Sequence, residues 1–519
     1  MTIIHYHFRP GGVRRVIELA TPEIMRRMGN PSASVLLAAG EPPDGVWLEK
    51  FRLLLFPLPV EVKVLPGFAY LSEQPASGAG SALKMRADLQ SLLAKEMPRD
   101  SLVWAHNLGV GRNLLLAREL VRACKNRRVR LLAHQHDWWF DSRWQRWAEF
   151  RRCGFCTVRA VAEAVFPAAG NFVHATINRE DASFLEKHFP GRVQWLPNPA
   201  EPEMPPDPSR VAFARRWLRG QLETAAPVWL LPCRLLRRKN IGEALLLARW
   251  LRPEAWLVTT GGASSSDETA YAEKLEAAAC DHGWPLRLGI LAGDEREKPA
   301  VAELVAASEA VMLTSIQEGF GLPNLEAAAA GRPLIARRLP NIAPDLAGFG
   351  FRFPQSYGEI LVAPGLFDWS AEVRRQDVLF RAWLRTIPLA YRGWAGQPAL
   401  LACRGKLQPV AFGRLTLTAQ LEVLARSPEE TWNLCAPLNP FLRTWKARSA
   451  AGGLKVTAWP HTASKSLGGP AYAARFEEIA RARPRRTDGR TASLATQEEF
   501  LRARLASSRL FPLLWAPRT

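Results

Sequence analysis

The sequence lacks the features that carry a chain into or across a membrane. No uninterrupted apolar run approaches the roughly 18–20 residues that a membrane-spanning helix needs. The first ten residues, Met1 to Pro10, lack the long apolar core and the cleavage site of a secretory signal peptide. We therefore expect a cytoplasmic protein.

Cysteine is scarce and scattered. The seven cysteines are an odd number without regular spacing, which argues against a disulfide framework. Cys153 and Cys156 form a single C-x-x-C, with no second pair and no histidines at ligand spacing. We interpret them as reduced thiols rather than as a zinc site.

Acidic residues are few compared with basic ones. The 69 lysines and arginines against 49 aspartates and glutamates leave a net charge of +20. Such an excess suits nucleic acid, an anionic membrane surface or phosphorylated substrates. The basic clusters Lys125–Arg130 and Arg481–Arg486 are short, and no nucleic-acid-binding motif accompanies them. We expect no nucleic acid partner, and we keep peripheral contact with an anionic inner membrane face as an expectation.

Strand and helix patterns alternate along most of the chain. Apolar strand candidates, each followed by a turn and an amphipathic helix, favour parallel sheets wrapped by helices. The densest proline run, Pro197–Pro208, is typical of a stiff linker between domains. We predict domains at residues 1–200 and 227–365, a linker at 201–226, and a mostly helical extension at 366–519 to which we assign no function.

One stretch, Thr314–Ala327, combines a strand end, a glycine-rich turn and a helix start. It follows the apolar run Ala310–Leu313, and Pro323 suits the first turn of a helix. Free N–H groups at a helix start favour an anion. The carboxylates of Glu318 and Glu326 flank this turn and would repel a phosphate, so they are better suited to hydroxyl groups on either side of one. This pattern indicates a nucleotide-sugar ligand.

The segment from Glu318 to Glu326 resembles the E-x7-E signature of retaining GT-B glycosyltransferases, most closely glycosyltransferase family 4. The resemblance implies that Glu318 contacts the transferred sugar and that Glu326 contacts the ribose of the nucleotide. It also implies an α/β fold of two doubly wound Rossmann-like domains that face each other across a cleft. The intervening donor-binding residues are then Gly319, Phe320, Gly321 and Leu322.

Three further motifs match the same family. Arg234 and Lys239 follow a strand and keep the cations of the family's G-R-L-x-x-x-K-G pattern, although Cys233 and Asn240 replace its glycines. In the resembled enzymes these cations hold the donor diphosphate. Gly11 and Gly12 resemble the glycine loop that lies opposite this diphosphate, and they do not form the G-x-G-x-x-G of a dinucleotide site. His106 ends a strand and aligns with the histidine that contacts the sugar's hydroxymethyl group.

A second histidine group follows the next strand of the first domain. His134, His136 and Asp137 would fall at the carboxyl end of a parallel strand, where open α/β sheets place ligands. They suit the lining of the acceptor side or a metal; we favour the acceptor side, because the resembled enzymes need neither metal nor cofactor. Trp138 and Trp139 suit either stacking on a sugar or packing in the core.

We predict a hexosyltransferase-type enzyme that moves a sugar from a nucleotide-sugar to a saccharide, a lipid-linked molecule or a small-molecule acceptor, with retention of anomeric configuration. The predicted catalytic residues are Glu318, His106, Arg234 and Lys239. One alternative is a catalytically weak GT-B-fold protein that binds polyanions or nucleotides. Another is a phosphorylase of the same fold, but we find no resemblance to the cofactor-lysine motif of those enzymes.

Overall fold

The computed structural model describes residues 1–29, 33–73, 80–95, 101–141, 143–202, 205–263, 265–293, 297–403, 405–481 and 489–515. The chain forms two compact units. Unit 1 contains residues 1–201, 386–393 and 465–504, and unit 2 contains residues 202–385, 394–464 and 505–519.

Unit 1 is built on a parallel sheet. Its strands are β1 (Thr2–Ile4), β2 (Val35–Ala39), β3 (Val60–Val64), β4 (Leu102–His106), β5 (Arg130–Gln135), β6 (Phe172–Thr176) and β7 (Val193–Trp195). They lie in the order 3-2-1-4-5-6-7. Strands β2, β4 and β6 are buried along their whole length, as expected of a parallel sheet covered by helices on both faces.

Helices connect these strands. They are α1 (Gly12–Met28), α2 (Gly45–Leu55), α3 (Gly80–Lys95), α4 (Leu114–Arg127), α5 (Arg146–Arg152), α6 (Val158–Val165) and α7 (Arg179–His188). Helix α1 shows why the sequence folds this way. Its residues Val16, Ile17, Ala20 and Ile24 recur at helical spacing and pack into one core with β2.

Unit 2 repeats the same architecture. Its parallel sheet contains β8 (Val228–Leu231), β9 (Trp256–Thr259), β10 (Leu286–Arg287), β11 (Ala310–Leu313), β12 (Leu334–Arg337) and β13 (Gln355–Tyr357), in the order 10-9-8-11-12-13. When the strands are counted from β8, this order is 3-2-1-4-5-6, that of a Rossmann sheet. The first six strands of unit 1 have the same order.

The helices of unit 2 precede, connect and follow its strands. They are α8 (Pro208–Leu222), α9 (Ile241–Leu251), α10 (Ser266–Asp281), α11 (Val301–Ala307), α12 (Leu322–Ala329), α13 (Ala343–Gly348), α14 (Trp369–Thr386), α15 (Ala399–Ala402), α16 (Leu417–Ala425), α17 (Pro428–Cys435) and α18 (Phe441–Ala450). Two short strands, β14 (Leu361–Val362) and β15 (Val410–Ala411), pair antiparallel.

The last helices return the chain to unit 1. They are α19 (His461–Leu467), α20 (Gly469–Arg481) and α21 (Gly489–Leu505). Helix α20 packs on α1, where Glu477 pairs with Arg27 at 2.6 Å, and it buries Tyr472 and Phe476. On α21, Arg504 bonds to Asp141 and Asp181 of unit 1. The extension is therefore divided between the two units.

The predicted fold class, α/β with two doubly wound sheets and a mostly helical extension, is confirmed. One strand is shorter than its sequence indicates: the apolar pattern predicts a strand over Leu286–Gly293, but β10 ends at Arg287. Gly289 has a φ of +59° and donates its N–H to Thr259 Oγ1, so the chain turns there. Helix α8 lies within the segment 201–226 that we predicted as a linker. The domain boundaries stay predictions.

Both sheets have a switch point where the strand order reverses. In unit 1 it lies between β1 and β4, and in unit 2 between β8 and β11. Open α/β sheets bind ligands beyond the carboxyl ends of the strands at such points. The residues that follow these four strands include most of the predicted site.

Candidate functional site

Hydrogen bonds join the two loops at the switch point of unit 2. The loop after β8 contains a single 3₁₀ turn, Arg237–Lys239, and the loop after β11 begins at Thr314. The N–H of Ile316 donates to Arg238 O at 2.8 Å, and Thr314 Oγ1 donates to Lys239 O at 2.9 Å. These bonds bring the basic turn against the segment that carries Glu318.

Glu318 lies between two cations. Its carboxylate pairs with Lys239 Nζ at 2.5 Å and with Arg238 Nη1 at 2.7 Å. Burial favours a raised pKa, but the charges of Arg238 and Lys239, together with their hydrogen bonds, outweigh it and lower the pKa of Glu318 to about 2. Glu318 is therefore ionised at neutral pH, and this geometry suits an acceptor of hydrogen bonds more than a donor of protons.

Arg234 differs from its basic neighbours. It is exposed and, within the part of the chain that the structure describes, makes no ion pair. Arg234 lies beside Gly261, which follows the neighbouring strand β9. A Cβ added at Gly261 would lie 3.1 Å from Arg234 Cγ and 3.4 Å from Arg234 Cα. The guanidinium is thus available to an anion at the switch point.

The glycine turn after Glu318 leads directly into α12. Gly321 has a φ of +81°, a left-handed conformation that favours glycine. A Cβ there would lie 2.7 Å from Asn324 Nδ2 and from Ile342 Cδ1, so both side chains would have to shift. Phe320 is buried, Gly319 is half-buried, and Asn341 fixes the turn by donating to Glu318 O at 2.7 Å.

Helix α12 begins at Leu322 without a side-chain cap and without an acidic residue in its first turn. The positive end of the helix dipole therefore lies at its first N–H groups, and no carboxylate in the first turn neutralises it. Glu326 lies further along α12 and is exposed.

In unit 1, Gly11 and Gly12 open α1. Gly11 precedes the helix, and Gly12 is its first residue. No side chain caps this helix start, no acidic residue lies in its first turn, and a Cβ at either glycine would meet nothing within 4 Å. Both glycines are exposed, so this helix start is accessible to a ligand.

Three imidazoles meet at the ends of β4 and β5. His106 is fully buried, and its Nδ1 lies 3.2 Å from His136 Nε2. His134 donates from Nε2 to Leu196 O at 2.9 Å, and its Nδ1 lies 3.3 Å from the hydroxyl of Tyr472. His136 is half-buried.

Burial keeps these imidazoles neutral at pH 7. It lowers the pKa of His134 to about 4, and burial with neighbouring imidazoles holds the pKa of His106 and His136 well below 6.5. Their nitrogens lie within 4.8 Å of one another, so among the described residues this group could hold a metal ion. A metal would compete with the hydrogen bonds that His106, His136 and Tyr472 already make.

The loop after β5 is held by Asn107. Asn107 Oδ1 accepts from the N–H of His136 at 2.7 Å and from the N–H of Asp137 at 3.2 Å. Asp137 pairs with Arg143 at 3.5 Å. Trp138 and Trp139 are both at most 1% exposed, so they pack in the core and do not offer a stacking face.

The predicted residues therefore fall into one group in each unit. Unit 2 brings Lys239 against Glu318, which the turn Gly319–Leu322 follows, whereas Arg234 follows the same strand as Lys239 but lies beside Gly261. Unit 1 brings together His106, His134, His136 and Asp137 at the ends of two adjacent strands.

Sequence reasoning missed Arg238 and Asn107. Arg238 is one of three consecutive cations, and only its position next to Lys239 indicated that it could belong to the site. Asn107 adopts a φ of +57°, which asparagine tolerates better than most residues. The position of Asn107 directly after His106 was the one feature of the sequence that indicated a place in the site.

None of the helices among the described residues combines the length and the apolar character needed to cross a membrane. The cluster Lys125–Arg130 spans the end of α4 and the start of β5, and Arg481–Arg486 lies almost wholly outside the described residues.

Comparison with known proteins gives matches in sequence and in structure. The chain is 22% identical over 350 residues to a Mannosylglucosyl-3-phosphoglycerate synthase of Petrotoga mobilis, a match that covers 65% of this chain and 64% of that relative. Among solved structures it is similar to Anabaena Alr3699/HepE in complex with UDP and glucose, with 16% identity, 87% and 98% of the two chains covered, and a TM-score of 0.47. It is also similar to the catalytic domain of Starch Synthase IV from Arabidopsis thaliana bound to ADP and acarbose, with 13% identity, 97% and 98% covered, and a TM-score of 0.45.

The family match covers the segment that carries the unit 2 site. Residues 220–351 match the family model Glycosyl transferases group 1. These residues include β8 to β12, and with them Arg234, Lys239, Glu318 and Glu326. This part of unit 2 is therefore similar to the glycosyl transferases group 1, in agreement with the resemblance found in the sequence.

Proposed function

We propose that this protein is a glycosyltransferase that transfers a sugar from a nucleotide-sugar to an acceptor with retention of anomeric configuration. The observation that carries the proposal is the pairing of Lys239 with Glu318 at the switch point of unit 2, where Arg234 also follows β8 and α12 follows the glycine turn. The two cations and the helix start can bind an anion. The ordered carboxylate can accept hydrogen bonds from hydroxyl groups.

The donor diphosphate binds to Arg234, Lys239 and the first N–H groups of α12. Arg234 offers a planar fork for two phosphate oxygens, and Lys239 offers a compact charge. With Arg237 and Arg238 included, the loop after β8 carries four cations. Glu318 pairs with Arg238 and Lys239, and Glu268 pairs with Arg237, so two net positive charges remain at neutral pH. The excess stabilises the charge that develops on the departing nucleoside diphosphate.

Glu318 orients the transferred sugar. Because its pKa is about 2, it is a weak general base and is not a proton donor at neutral pH. It instead accepts hydrogen bonds from sugar hydroxyls while Lys239 and Arg238 hold it in place. Glu326 binds the ribose, and no side-chain nucleophile takes part.

The acceptor is activated without an added metal or cofactor. In this proposal the leaving diphosphate helps to remove the acceptor proton on the face from which it departs. Such a step explains retention without a covalent sugar–enzyme intermediate, and it rests on the resemblance described above.

The histidine group of unit 1 binds sugar hydroxyls through neutral imidazoles. His106 is fully buried, whereas His136 is half-buried and shares a hydrogen bond with it. We therefore assign the direct contact to His136, with His106 fixing its ring, and we keep His134 and Asp137 on the acceptor side.

The acceptor is a saccharide, a lipid-linked molecule or a small molecule. The Petrotoga relative is named as a synthase of a 3-phosphoglycerate glycoside, which favours an anionic small acceptor. The net charge of +20 suits such an acceptor and also suits an anionic membrane surface.

The test is the release of nucleoside diphosphate from UDP-, GDP- and ADP-sugars. We expect release from one of these donors, and strong loss in Lys239→Met but not in Lys274→Met, an exposed lysine of α10 in the same unit. Donor binding without release under any acceptor condition would favour the alternative of a catalytically weak binding protein. If the protein neither binds any of these donors nor releases nucleoside diphosphate from them, the proposal is wrong.

A further inference from the structure

Strand β3 ends the sheet of unit 1 on one side. It pairs along all five residues with β2, from Val60 opposite Val35 to Val64 opposite Ala39. Among the described residues it pairs with no other strand. An edge of this kind presents backbone N–H and C=O groups that can pair with another chain.

Large apolar side chains are exposed directly before this edge. Leu53 is 75% exposed, Leu54 58% and Phe56 82%, all at the end of α2 or in the turn that leads to β3. Contiguous exposed apolar residues on a soluble protein often mark an interface.

This apolar surface and the strand edge belong to one region of the unit. Helix α2 buries Trp47 and Phe51 in the same core as Val60, so α2 covers the face of the sheet to which Val60 points. Val64, the last residue of β3 and on that same face by alternation, is 40% exposed.

The charges on β3 are self-complementary. Glu61 and Lys63 are both exposed and lie on one face of the strand, on either side of Val62. If two copies of β3 pair antiparallel about Val62, each Glu61 lies opposite a Lys63, and each Val60 lies opposite a Val64. Parallel in-register pairing would instead place like charges together, which destabilises a strand pair.

We propose that β3 and the apolar end of α2 form a homodimer interface, in which two β3 strands pair antiparallel about Val62 and join the two sheets. The same patch serves both subunits, as a two-fold interface requires. A second copy fits this surface better than an anionic membrane does. Glu49 pairs with Arg52, and Glu61 offsets Lys63, so Lys50 alone leaves only a small positive excess.

The experiment is sedimentation velocity of the full chain over a wide range of protein concentration at physiological ionic strength. The wild type should form a species of twice 57.8 kDa. Glu61→Lys places two lysine–lysine pairs in each dimer and should weaken dimerisation by about tenfold or more. Lys63→Glu should do the same, whereas the double variant Glu61→Lys/Lys63→Glu should return to the wild-type dissociation constant.

The rescue is specific to antiparallel pairing about Val62, since no other register exchanges these two positions. Leu53→Ser with Phe56→Ser should also weaken the dimer while leaving nucleoside diphosphate release by the monomer unchanged. A wild type that stays monomeric at all concentrations would overturn the proposal, and so would a double variant that fails to rescue. Binding of a monomeric wild type to anionic vesicles, lost in Leu53→Ser/Phe56→Ser, would assign this surface to a membrane instead.

Discussion

Glu318→Gln should reduce the stability of unit 2 as well as turnover. The Glu318 side chain is 16% exposed and contacts both Lys239 and Arg238, and its pKa falls from 4.5 to about 2 on folding. Each pKa unit corresponds to about 1.4 kcal/mol, so the carboxylate contributes about 3 kcal/mol of unfolding free energy at neutral pH. The amide cannot neutralise the two cations and forfeits most of this contribution.

The loss should depend on pH in a defined direction. Because the folded-state pKa is lowered, the contribution is complete above pH 4.5 and disappears as the pH falls toward 2. Urea unfolding should therefore show a difference between wild type and Glu318→Gln that is about 1 kcal/mol smaller at pH 4 than at pH 7.

Glu254→Gln provides the matched control. Glu254 pairs with Arg252 at 2.8 Å, but its side chain is 53% exposed, so its loss should cost at most about 1 kcal/mol. Equal stability of Glu318→Gln and wild type at pH 7, or a difference that grows in acid, would refute the assignment of Glu318 to a charge-stabilised position.

Four further predictions concern the donor, the extension, metals and membranes. Glu326→Ala should weaken binding of the matching nucleoside diphosphate by about 1.5–3 kcal/mol in calorimetry, because it loses charge-assisted bonds to the ribose; unchanged affinity would remove Glu326 from the ribose. Arg504→Met leaves Asp141 and Asp181 without their shared cation and should cost about 3–5 kcal/mol of unfolding free energy, against at most about 1 kcal/mol for the exposed control Arg26→Met. Treatment with EDTA should leave turnover unchanged, whereas loss that zinc restores would identify the histidine group as a metal site. Co-sedimentation with anionic vesicles should fall as salt is raised, if the Lys125–Arg130 cluster binds a membrane surface, whereas equal recovery on neutral vesicles would contradict that binding.

The two sheets could be predicted because parallel strands are short apolar runs with turns at both ends. The strand Leu102–His106 and the helix start at Leu322 both follow from local signals in the sequence. Gly321 was informative because its positive φ favours glycine at the turn before the helix.

The contacts that complete each site could not be predicted in the same way. The pairing of Arg238 with Glu318 joins residues 80 positions apart and depends on the backbone bonds between two loops. The burial of Trp138 depends on a neighbour distant in sequence, Phe500 on α21. The division of residues 366–519 between two units likewise reflects tertiary packing that no local period encodes.

Whether unit 2 binds a nucleoside diphosphate can be tested by calorimetric titration of the wild type and of Arg234→Met with UDP, GDP and ADP. Arg234 is exposed and, among the described residues, makes no ion pair, so its replacement should leave the fold intact. We expect one nucleoside diphosphate to bind the wild type and to bind Arg234→Met at least about tenfold more weakly, since a charge-assisted bond to phosphate is lost. Equal affinity of the two proteins for that nucleotide, or no binding of any of the three to the wild type, would contradict it.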